Sequence, residues 1–352
     1  MRAWDEPAQR RRSRAPGDEA GEAVLHELEA RGIDLDPAAP GEATDSRLLE
    51  AEGHHHPHLR SGPGEPPTVG IVGAGAVGTT LGVALARADW PVRAVASRDP
   101  GRRERFRVLV PGARAFAEAN ALLDEVELVI LAVPDDALPA LAGTLRLYSG
   151  QAIVHTSGAL GAEVLAPAMA AGTRLGAFHP LVSFADVERG VAALHGATVA
   201  IEGDDELLGL LADMAEAVGA TPVRLSPGTK AAYHAAAVLA AGGFVALLDA
   251  IVELGRAAGL DEPGAVAIYG RLVEQTLGNA RALGVAASLT GPMVRGDVGT
   301  LRRHLDALAM HAPAALPLYR AAAERELAIA EGRGALAPEV VAAMRACLAR
   351  TG

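Results

Sequence analysis

The sequence predicts an α/β domain with a mostly parallel sheet, followed by an all-helical domain. From about residue 68 to residue 225, short apolar runs with strand character alternate with helical stretches. This alternation is typical of a parallel sheet with right-handed crossovers. After Ser226 the strand-like runs stop, and long stretches with helical periodicity fill the rest of the chain. The 352 residues are 50% hydrophobic, which is enough for two hydrophobic cores.

The candidate strands are apolar runs bounded by turn residues. They are residues 68–72, 92–96, 128–133, 151–155, 175–178, 197–201 and 222–225. The continuous apolar run 128–133 ends at Pro134, as expected of a parallel strand that is buried on both faces. The candidate helices of the second domain are residues 229–259, 263–283, 299–310, 313–331 and 338–349.

Composition divides the chain into three parts. Residues 1–66 are rich in Arg, Glu, Pro and Gly and low in Val and Ile, which predicts a disordered tail. Residues 67–226 form the α/β domain and residues 227–352 the helical domain. The run 231–248 is nearly all apolar and approaches the length of a membrane span. Because it contains His234 and two glycines, we interpret it as a buried helix and expect no membrane contact.

Charge and cysteine content narrow the possible partners. The formal net charge of -11 argues against a nucleic-acid partner, because binding to a phosphate backbone relies on a basic face. The single cysteine, Cys347, excludes an intrachain disulfide and a thiolate metal cluster. The first residues carry no apolar run typical of a secretion signal. We therefore expect a cytoplasmic protein without a metal site.

The first predicted strand leads into a glycine motif, G-x-G-x-x-G, formed by Gly73-Ala74-Gly75-Ala76-Val77-Gly78. Gly73 permits the tight turn, Gly75 lets the backbone approach a pyrophosphate, and Gly78 allows close packing of helix on strand. The helix that begins near Ala76 directs free N–H groups at the phosphates. Because the motif follows a strand and opens a helix, it predicts a dinucleotide-binding Rossmann domain, with Ala76 and Val77 also in contact with the cofactor.

The end of the second strand indicates which dinucleotide binds. NAD-specific domains place an acidic residue there for the ribose 2′-hydroxyl. Here the strand ends in Ser97 and Arg98, which suit a 2′-phosphate, whereas Asp99 would suit NAD. The sequence therefore favours NADP and leaves NAD open.

Further candidates follow the later strands, at the edge of the sheet where ligands bind in such domains. Val133 and Pro134 are expected beside the nicotinamide. The two acids that follow, Asp135 and Asp136, have two interpretations: Asp136 orients a ligand, or both cap the next helix.

Two histidine segments follow the next strands. His155, Ser157 and Gly158 are candidates for binding a substrate carbonyl or carboxylate, and His179 is a candidate for proton transfer. A structural role for either histidine remains the alternative.

Lys230 and His234 lie four residues apart, on one face of the first helix of the helical domain. We expect them at a cleft between the domains, with Lys230 as the general acid and His234 or His179 assisting. A solvent-facing Lys230 is the alternative. Thr290 and Arg295 belong to a turn-rich segment and are candidates for the substrate loop, with Arg295 either clamping a carboxylate or bracing Asp297.

Four of these segments together resemble a bacterial family of Rossmann-like oxidoreductases whose C-terminal half is a domain of unknown function. They are His155-Thr156-Ser157-Gly158-Ala159-Leu160, Phe178-His179-Pro180-Leu181, Lys230-Ala231-Ala232-Tyr233-His234-Ala235-Ala236-Ala237 and the run 289–297. The resemblance covers residues 67–348. It implies an N-terminal NADP-binding domain, a helical domain similar to the C-terminal domain of 6-phosphogluconate dehydrogenase, and a homodimer. It implies no substrate.

More distantly, the layout is similar to β-hydroxyacid dehydrogenases, ketopantoate reductase and pyrroline-5-carboxylate reductase. Hydroxyacid dehydrogenases carry a Lys and then an Asn on the helix that enters the second domain. Lys230 matches this Lys, whereas His234 stands near the position of the Asn. The segment 241–243, Ala-Gly-Gly, also departs from the Ser and Asn of these relatives.

These observations predict an NADP-dependent oxidoreductase that acts on a small carbonyl, imine or hydroxyacid. Its subunits are expected to form a homodimer through the apolar run 235–248. Two alternatives remain open: a non-catalytic NADP-binding sensor or scaffold, and an imine reductase, which requires less of Lys230 because an iminium is already activated.

Overall fold

The computed structural model describes residues 65–350, except 170, 171, 227 and 335. The predicted tail, residues 1–66, lies outside these residues apart from its last two. The chain forms two compact units, which divide between Ala237 and Val238. The predicted boundary near Ser226 marks the end of the strands. The helix that follows groups with the first unit, because Tyr233 packs against Ala200 and Val223 of the sheet.

The first unit contains an eight-stranded sheet. Its strands are β1 (Val69–Val72), β2 (Val92–Ala96), β3 (Arg114–Phe116), β4 (Leu128–Leu131), β5 (Ala152–His155), β6 (Arg174–Pro180), β7 (Thr198–Glu202) and β8 (Thr221–Arg224). All seven predicted strands are present, with ends shifted by one or two residues. Sequence reasoning missed β3, which has only three residues and none of them buried.

The sheet has the order β3-β2-β1-β4-β5-β6-β7-β8. The strand order reverses between β1 and β4, which pair directly and in parallel. Pairing is parallel throughout except between β6 and β7. The end of β6 therefore lies beside the start of β7, and the Leu181 amide donates to the Thr198 carbonyl. The sheet is thus mostly parallel, as predicted, with one antiparallel step.

Helices cover both faces of the sheet. They are α1 (Ala76–Arg87), α2 (Pro100–Leu109), α3 (Leu138–Ala142), α4 (Val187–Leu194), α5 (Asp205–Ala217) and α6 (Lys230–Val238), with short 3-10 segments at Ala119–Glu125, Asp135–Ala137 and Ala162–Ala168. Alternate residues of β4 point to opposite faces: Ile130 joins the core beneath α1, and Leu131 joins the core beneath α3. The two buried faces explain why the strand is apolar throughout.

The second unit consists of helices in its described residues. They are α7 (Phe244–Ala257), α8 (Glu262–Leu283), α9 (Val285–Ser288), α10 (Pro292–Arg295), α11 (Val298–His311), α12 (Leu316–Gly332) and α13 (Pro338–Leu348), with a π-helical turn at Leu239–Gly243 and a 3-10 turn at Pro313–Ala315. Leu301, Leu327 and Met344 form the centre of one core, which also buries Cys347.

An exposed apolar surface covers α7 and α8. Val245 is 64% exposed, and Ile268 and Leu272 are 55% and 58% exposed. The helical run Lys230–Ala257 is long and apolar enough to cross a membrane by length and composition, and 6% of its most apolar window is buried. The prediction of a buried helix is therefore wrong for the described residues 65–350, because few of their side chains cover this run.

A buried histidine, His155, closes β5. Its Nδ1 accepts a hydrogen bond from the Ser157 amide at 3.1 Å, and its Nε2 lies 3.0 Å from the Gly161 carbonyl oxygen. Because a carbonyl only accepts, Nε2 carries the proton and the ring is neutral. Burial and, to a smaller extent, the Lys230 charge lower the pKa of His155 from 6.5 to about 4. His155 therefore acts as a brace for the loop 155–161.

This brace predicts a pH-dependent stability. The unfolded chain takes up a proton at His155 near pH 6.5, whereas the folded chain resists protonation until about pH 4. The contribution of neutral His155 is therefore complete above pH 6.5 and is lost as the pH falls toward 4. It amounts to roughly 3 kcal/mol. We expect His155→Gln to flatten the decline of the unfolding free energy between pH 6.5 and 4, measured by urea unfolding.

His311, exposed near the end of α11, provides the control. His311→Gln should keep the slope of the unmodified chain. An unchanged slope in His155→Gln would contradict the assignment of His155 as a buried neutral brace.

Candidate functional site

A cavity of about 410 Å³ lies at the switch point between β1 and β4. The loop after β1 contributes Gly75, Ala76 and Val77 to its lining, and the loop after β4 contributes residues 132–135. The remaining lining residues come from the loop after β5, from the end of β6 and the loop after it, and from α6: Thr156, Ser157, Gly158, His179, Pro180, Val182, Phe184 and His234. The cavity thus brings together predicted cofactor and catalytic residues at the edge where ligands bind in such sheets.

The glycine loop has the geometry that a dinucleotide requires. Gly73 has a φ of 108°, a left-handed conformation that favours glycine. A Cβ on Gly78 would lie 2.0 Å from the Gly73 carbonyl oxygen, so α1 packs directly on the turn. A Cβ on Gly75 would meet nothing within 4 Å, and no side chain caps α1. The first turn of α1 therefore keeps open space and free N–H groups for a pyrophosphate.

At the end of β2, Ser97 and Arg98 are available to a ligand, whereas the neighbouring Asp99 is engaged elsewhere. Asp99 is the N-cap of α2, and its carboxylate accepts from the Arg102 amide at 3.1 Å. Arg103 Nη1 donates to the carbonyl oxygens of Ser97 and Arg98 at 2.5 Å and 3.1 Å, which holds the strand end in place. The Asp99 carboxylate is thus engaged in its own helix.

A hydrogen bond joins two walls of the cavity. Ser157 Oγ donates to Asp135 Oδ2 at 2.8 Å, and Ser157 Oγ accepts from the amides of Ala159 and Leu160 at 3.2 Å and 3.1 Å. The interpretation of Asp135 and Asp136 as helix caps is wrong, because neither the 3-10 turn Asp135–Ala137 nor α3 has a side-chain cap. Asp135 instead fixes the loop after β5 against the loop after β4.

Gly158 lies between two histidines from different elements. A Cβ on Gly158 would lie 2.2 Å from His234 Nδ1 and 2.6 Å from His179 Nε2. The two rings themselves meet edge to face, with centroids 5.3 Å apart. The segments around residues 155, 179 and 230 therefore converge at one point, as their positions after strands and at a helix start predict.

Several polar atoms at this point have no hydrogen-bond partner among the described residues, although they are buried. They are His179 Nδ1, His234 Nδ1 and Tyr233 OH. A buried polar group without a partner is costly, and such groups collect at functional sites. Burial is the largest cause that lowers the pKa of His179 to about 4, and electrostatic interactions with His234 and Lys230 contribute to the same shift. His179 is therefore neutral at neutral pH.

Lys230 faces a neighbouring cavity. This second cavity of about 400 Å³ is lined by Gly161, Glu163, Glu202 and Lys230 among others. Lys230 is 5% exposed, and its Nζ lies 3.5 Å from Glu202 Oε1 in an ion pair. Burial lowers the pKa of Lys230, and the Glu202 carboxylate opposes that shift. The other oxygen of Glu202 accepts from the Ala162 amide at 2.8 Å.

The predicted substrate residues are dispersed. His155 has both ring nitrogens bonded to the backbone, which leaves no ring atom for a substrate. Thr290 and Arg295 belong to the second unit, and their role stays a prediction. Asp297 does not brace Arg295 but caps α11, where it accepts from the Thr300 amide at 2.9 Å.

Sequence reasoning missed two residues of the site. Glu202 is the last residue of β7, and it lies at a strand end like the candidates His155 and His179. A single acidic residue at a strand end, however, is not a recognisable sequence motif. Tyr233 stands between Lys230 and His234 on α6, and its hydroxyl is buried, which raises its pKa to about 12. Only the packing of α6 on the sheet reveals it.

Two family models match the chain. Residues 63–180 match the Rossmann-like domain, and residues 197–326 match a domain of unknown function, DUF2520. No curated protein shows significant sequence similarity to the chain.

Solved structures share the fold. The putative NADP oxidoreductase BF3122 from Bacteroides fragilis is 21% identical with a TM-score of 0.62, over 74% of this chain and 98% of that one. Reductive aminase from Aspergillus terreus is 18% identical with a TM-score of 0.59, over 80% and 99%. Pyrroline-5-carboxylate reductase from Streptococcus pyogenes is 16% identical with a TM-score of 0.54, over 76% and 99%. The chain therefore combines a segment that matches the Rossmann-like domain with a C-terminal segment that matches DUF2520.

Proposed function

We propose that this protein is an NADP-dependent oxidoreductase that transfers hydride to or from a small carbonyl, imine or hydroxyacid. One observation carries the proposal: a single cavity is lined by the glycine loop and by the His179–His234 pair. A dinucleotide on the glycine loop and a substrate at the histidines would share this space. NADP(H), when bound, supplies or accepts the hydride, and the residues of the chain bind and orient both reactants.

The described residues fit the cofactor at both of its ends. Gly73, Gly75 and the first turn of α1 would hold the pyrophosphate, and Ser97 with Arg98 would bind the 2′-phosphate. Val133 and Pro134 line the cavity after β4 and would contact the nicotinamide. Because Asp99 is engaged as a helix cap, NADP is favoured over NAD. The Aspergillus reductive aminase, which shares the fold, was solved in complex with NADPH and ethyl-5-oxohexanoate.

The histidine pair, rather than Lys230, is the candidate for direct contact with the substrate. His179 and His234 line the cavity and each has an unpartnered nitrogen, whereas Lys230 pairs with Glu202 in the neighbouring cavity. We assign Lys230 as a positioning residue: its charge adds to the larger effect of burial in disfavouring protonation of His179. Ser157 and Gly158 would shape the substrate side of the cavity.

A homodimer would cover the apolar surface of α7 and α8. Isolated apolar side chains are normal on protein surfaces, but large contiguous patches mark interaction sites. Val245, Ile268 and Leu272 are each more than half exposed in the single chain. We propose that a second copy of the chain packs on this surface, in keeping with a cytoplasmic protein whose partners are a cofactor and a small substrate.

The first prediction concerns the cofactor. NADPH should bind more tightly than NADH, because Ser97 and Arg98 can contact the 2′-phosphate. Arg98→Ala should narrow this difference by about tenfold, the effect of losing roughly 1.4 kcal/mol, as measured by calorimetry. Arg105→Ala, which removes an exposed positive charge from α2, is the matched control and should preserve the difference. Equal affinities for NADPH and NADH in the unmodified chain would refute the assignment.

The second prediction concerns Lys230. The variant Lys230→Met, combined with Glu202→Gln to avoid a buried unpaired carboxylate, should raise the pKa of His179 in NMR titrations because a nearby positive charge is lost. NADPH affinity should stay unchanged. Turnover of any identified substrate should fall by about a hundredfold. An unchanged His179 pKa together with unchanged turnover would make Lys230 a purely structural residue.

The third prediction concerns assembly. Sedimentation at micromolar concentration should give a dimer mass, and Leu272→Glu should shift the protein toward monomers, because it places a charge in the apolar surface. Arg271→Glu, at the exposed position next to it, is the matched control. A monomer mass for the unmodified chain would contradict the proposal. Association with lipid vesicles instead would favour a membrane partner for the Lys230–Ala257 run.

A further inference from the structure

The cavity at the switch point has an acidic side chain and no basic side chain among its described lining residues. Among its described lining residues, Asp135 is the only carboxylate, and none is a Lys or Arg. The other polar side chains are Thr156, Ser157, His179 and His234. An anionic substrate normally meets an arginine fork or a lysine ammonium. Nothing described in this cavity offers one.

A basic side chain of the neighbouring cavity, Lys230, is held in an ion pair with Glu202. Lys230 is buried beside Glu202 and lines the second cavity rather than this one. Glu163 also lines that second cavity. Lys230 thus lines the neighbouring cavity, from which its charge still interacts with Asp135 and His179.

Asp135 places a carboxyl group in the wall of the cavity. It is half-buried, and one of its oxygens accepts from the Ser157 hydroxyl at 2.8 Å. A carboxylate with a single such bond retains further acceptor capacity. The lining of the cavity also includes the apolar side chains of Val77, Val182 and Phe184. A carboxylate set among apolar groups attracts an organic cation more strongly than it would in water.

We infer that the substrate bound in this cavity is an organic cation, an iminium, and that Asp135 selects it over carboxylate-bearing carbonyl compounds. The inference rests on the proposed function and chooses among its substrate classes. The reaction balances without a proton donor. Hydride leaves NADPH and forms a C–H bond at the iminium carbon, the C=N π pair moves to nitrogen, and the products are a neutral amine and NADP+. Carbonyl reduction would also need a proton, and His179, whose pKa of about 4 leaves its ring unprotonated at neutral pH, has no imidazolium proton to give.

The binding test uses a cation that cannot react. N,N-dimethylpyrrolidinium should bind the complex of the full chain with NADPH, measured by calorimetry, and cyclopentanecarboxylate should bind at least tenfold more weakly. Asp135→Asn keeps an acceptor for Ser157 and removes the charge. It should weaken binding of the ammonium ion about tenfold and leave NADPH affinity unchanged. Asp136→Asn, at the exposed neighbouring position, is the matched control and should change neither affinity.

The turnover test compares three compounds with NADPH: N-methyl-1-pyrrolinium, cyclopentanone and a 2-oxo acid. Preference for the iminium, reduced about tenfold by Asp135→Asn, is the expected result. Faster reduction of the ketone or oxo acid would overturn the iminium assignment and leave the oxidoreductase proposal standing. NADPH binding with no turnover of any compound would overturn both and favour the sensor or scaffold. An Asp135→Asn variant that binds the ammonium ion normally would remove Asp135 from substrate selection.

Discussion

The candidate site depends on one hydrogen bond, between Ser157 and Asp135. It joins the loop after β4 to the loop after β5, beyond the point where the Thr156 amide donates to the Leu131 carbonyl at the end of β4. Ser157 Oγ also accepts from two amides of its own loop, so the bond orders the backbone as far as Leu160. Gly158 is thereby held against His179 and His234, where no larger residue fits.

Charge is distributed around this bond in two compartments. In the second cavity, Lys230 and Glu202 neutralise each other, and Glu202 also anchors the Ala162 amide. In the cavity at the switch point, Asp135 stands among neutral rings and apolar side chains. The loop 155–163 forms a wall of both cavities, and the buried His155 braces it from within. The charge of Lys230 in the second cavity therefore also affects the cavity at the switch point, because it disfavours protonation of His179.

Local sequence signals sufficed for the frame of the fold and for much of the candidate site. Glycines at fixed spacing and apolar runs of strand length are local properties, so the glycine loop and seven strands could be predicted. The meeting of the segments around His179 and Lys230 followed from the rule that parallel strands end at one edge. Contacts that depend on register could not be predicted. Glu202 lies level with Ala177, in the row that also contains His155, because β7 runs antiparallel to β6. The bond between Ser157 and Asp135 likewise joins residues 22 positions apart.

The double position of Asp99 has a consequence for how this domain can evolve. Asp99 is the acid nearest to where a ribose would bind, and it is also the N-cap of α2. A capping residue contributes about 1 kcal/mol to helix stability. If the Asp99 carboxylate bound a ribose hydroxyl, α2 would lose its N-cap. A protein that evolves toward NAD would therefore first need another residue to cap α2. Cofactor preference and the stability of α2 thus depend on the same residue. A change from NADP to NAD at this strand end would therefore need two substitutions, one that supplies a new cap for α2 and one that favours the ribose hydroxyl.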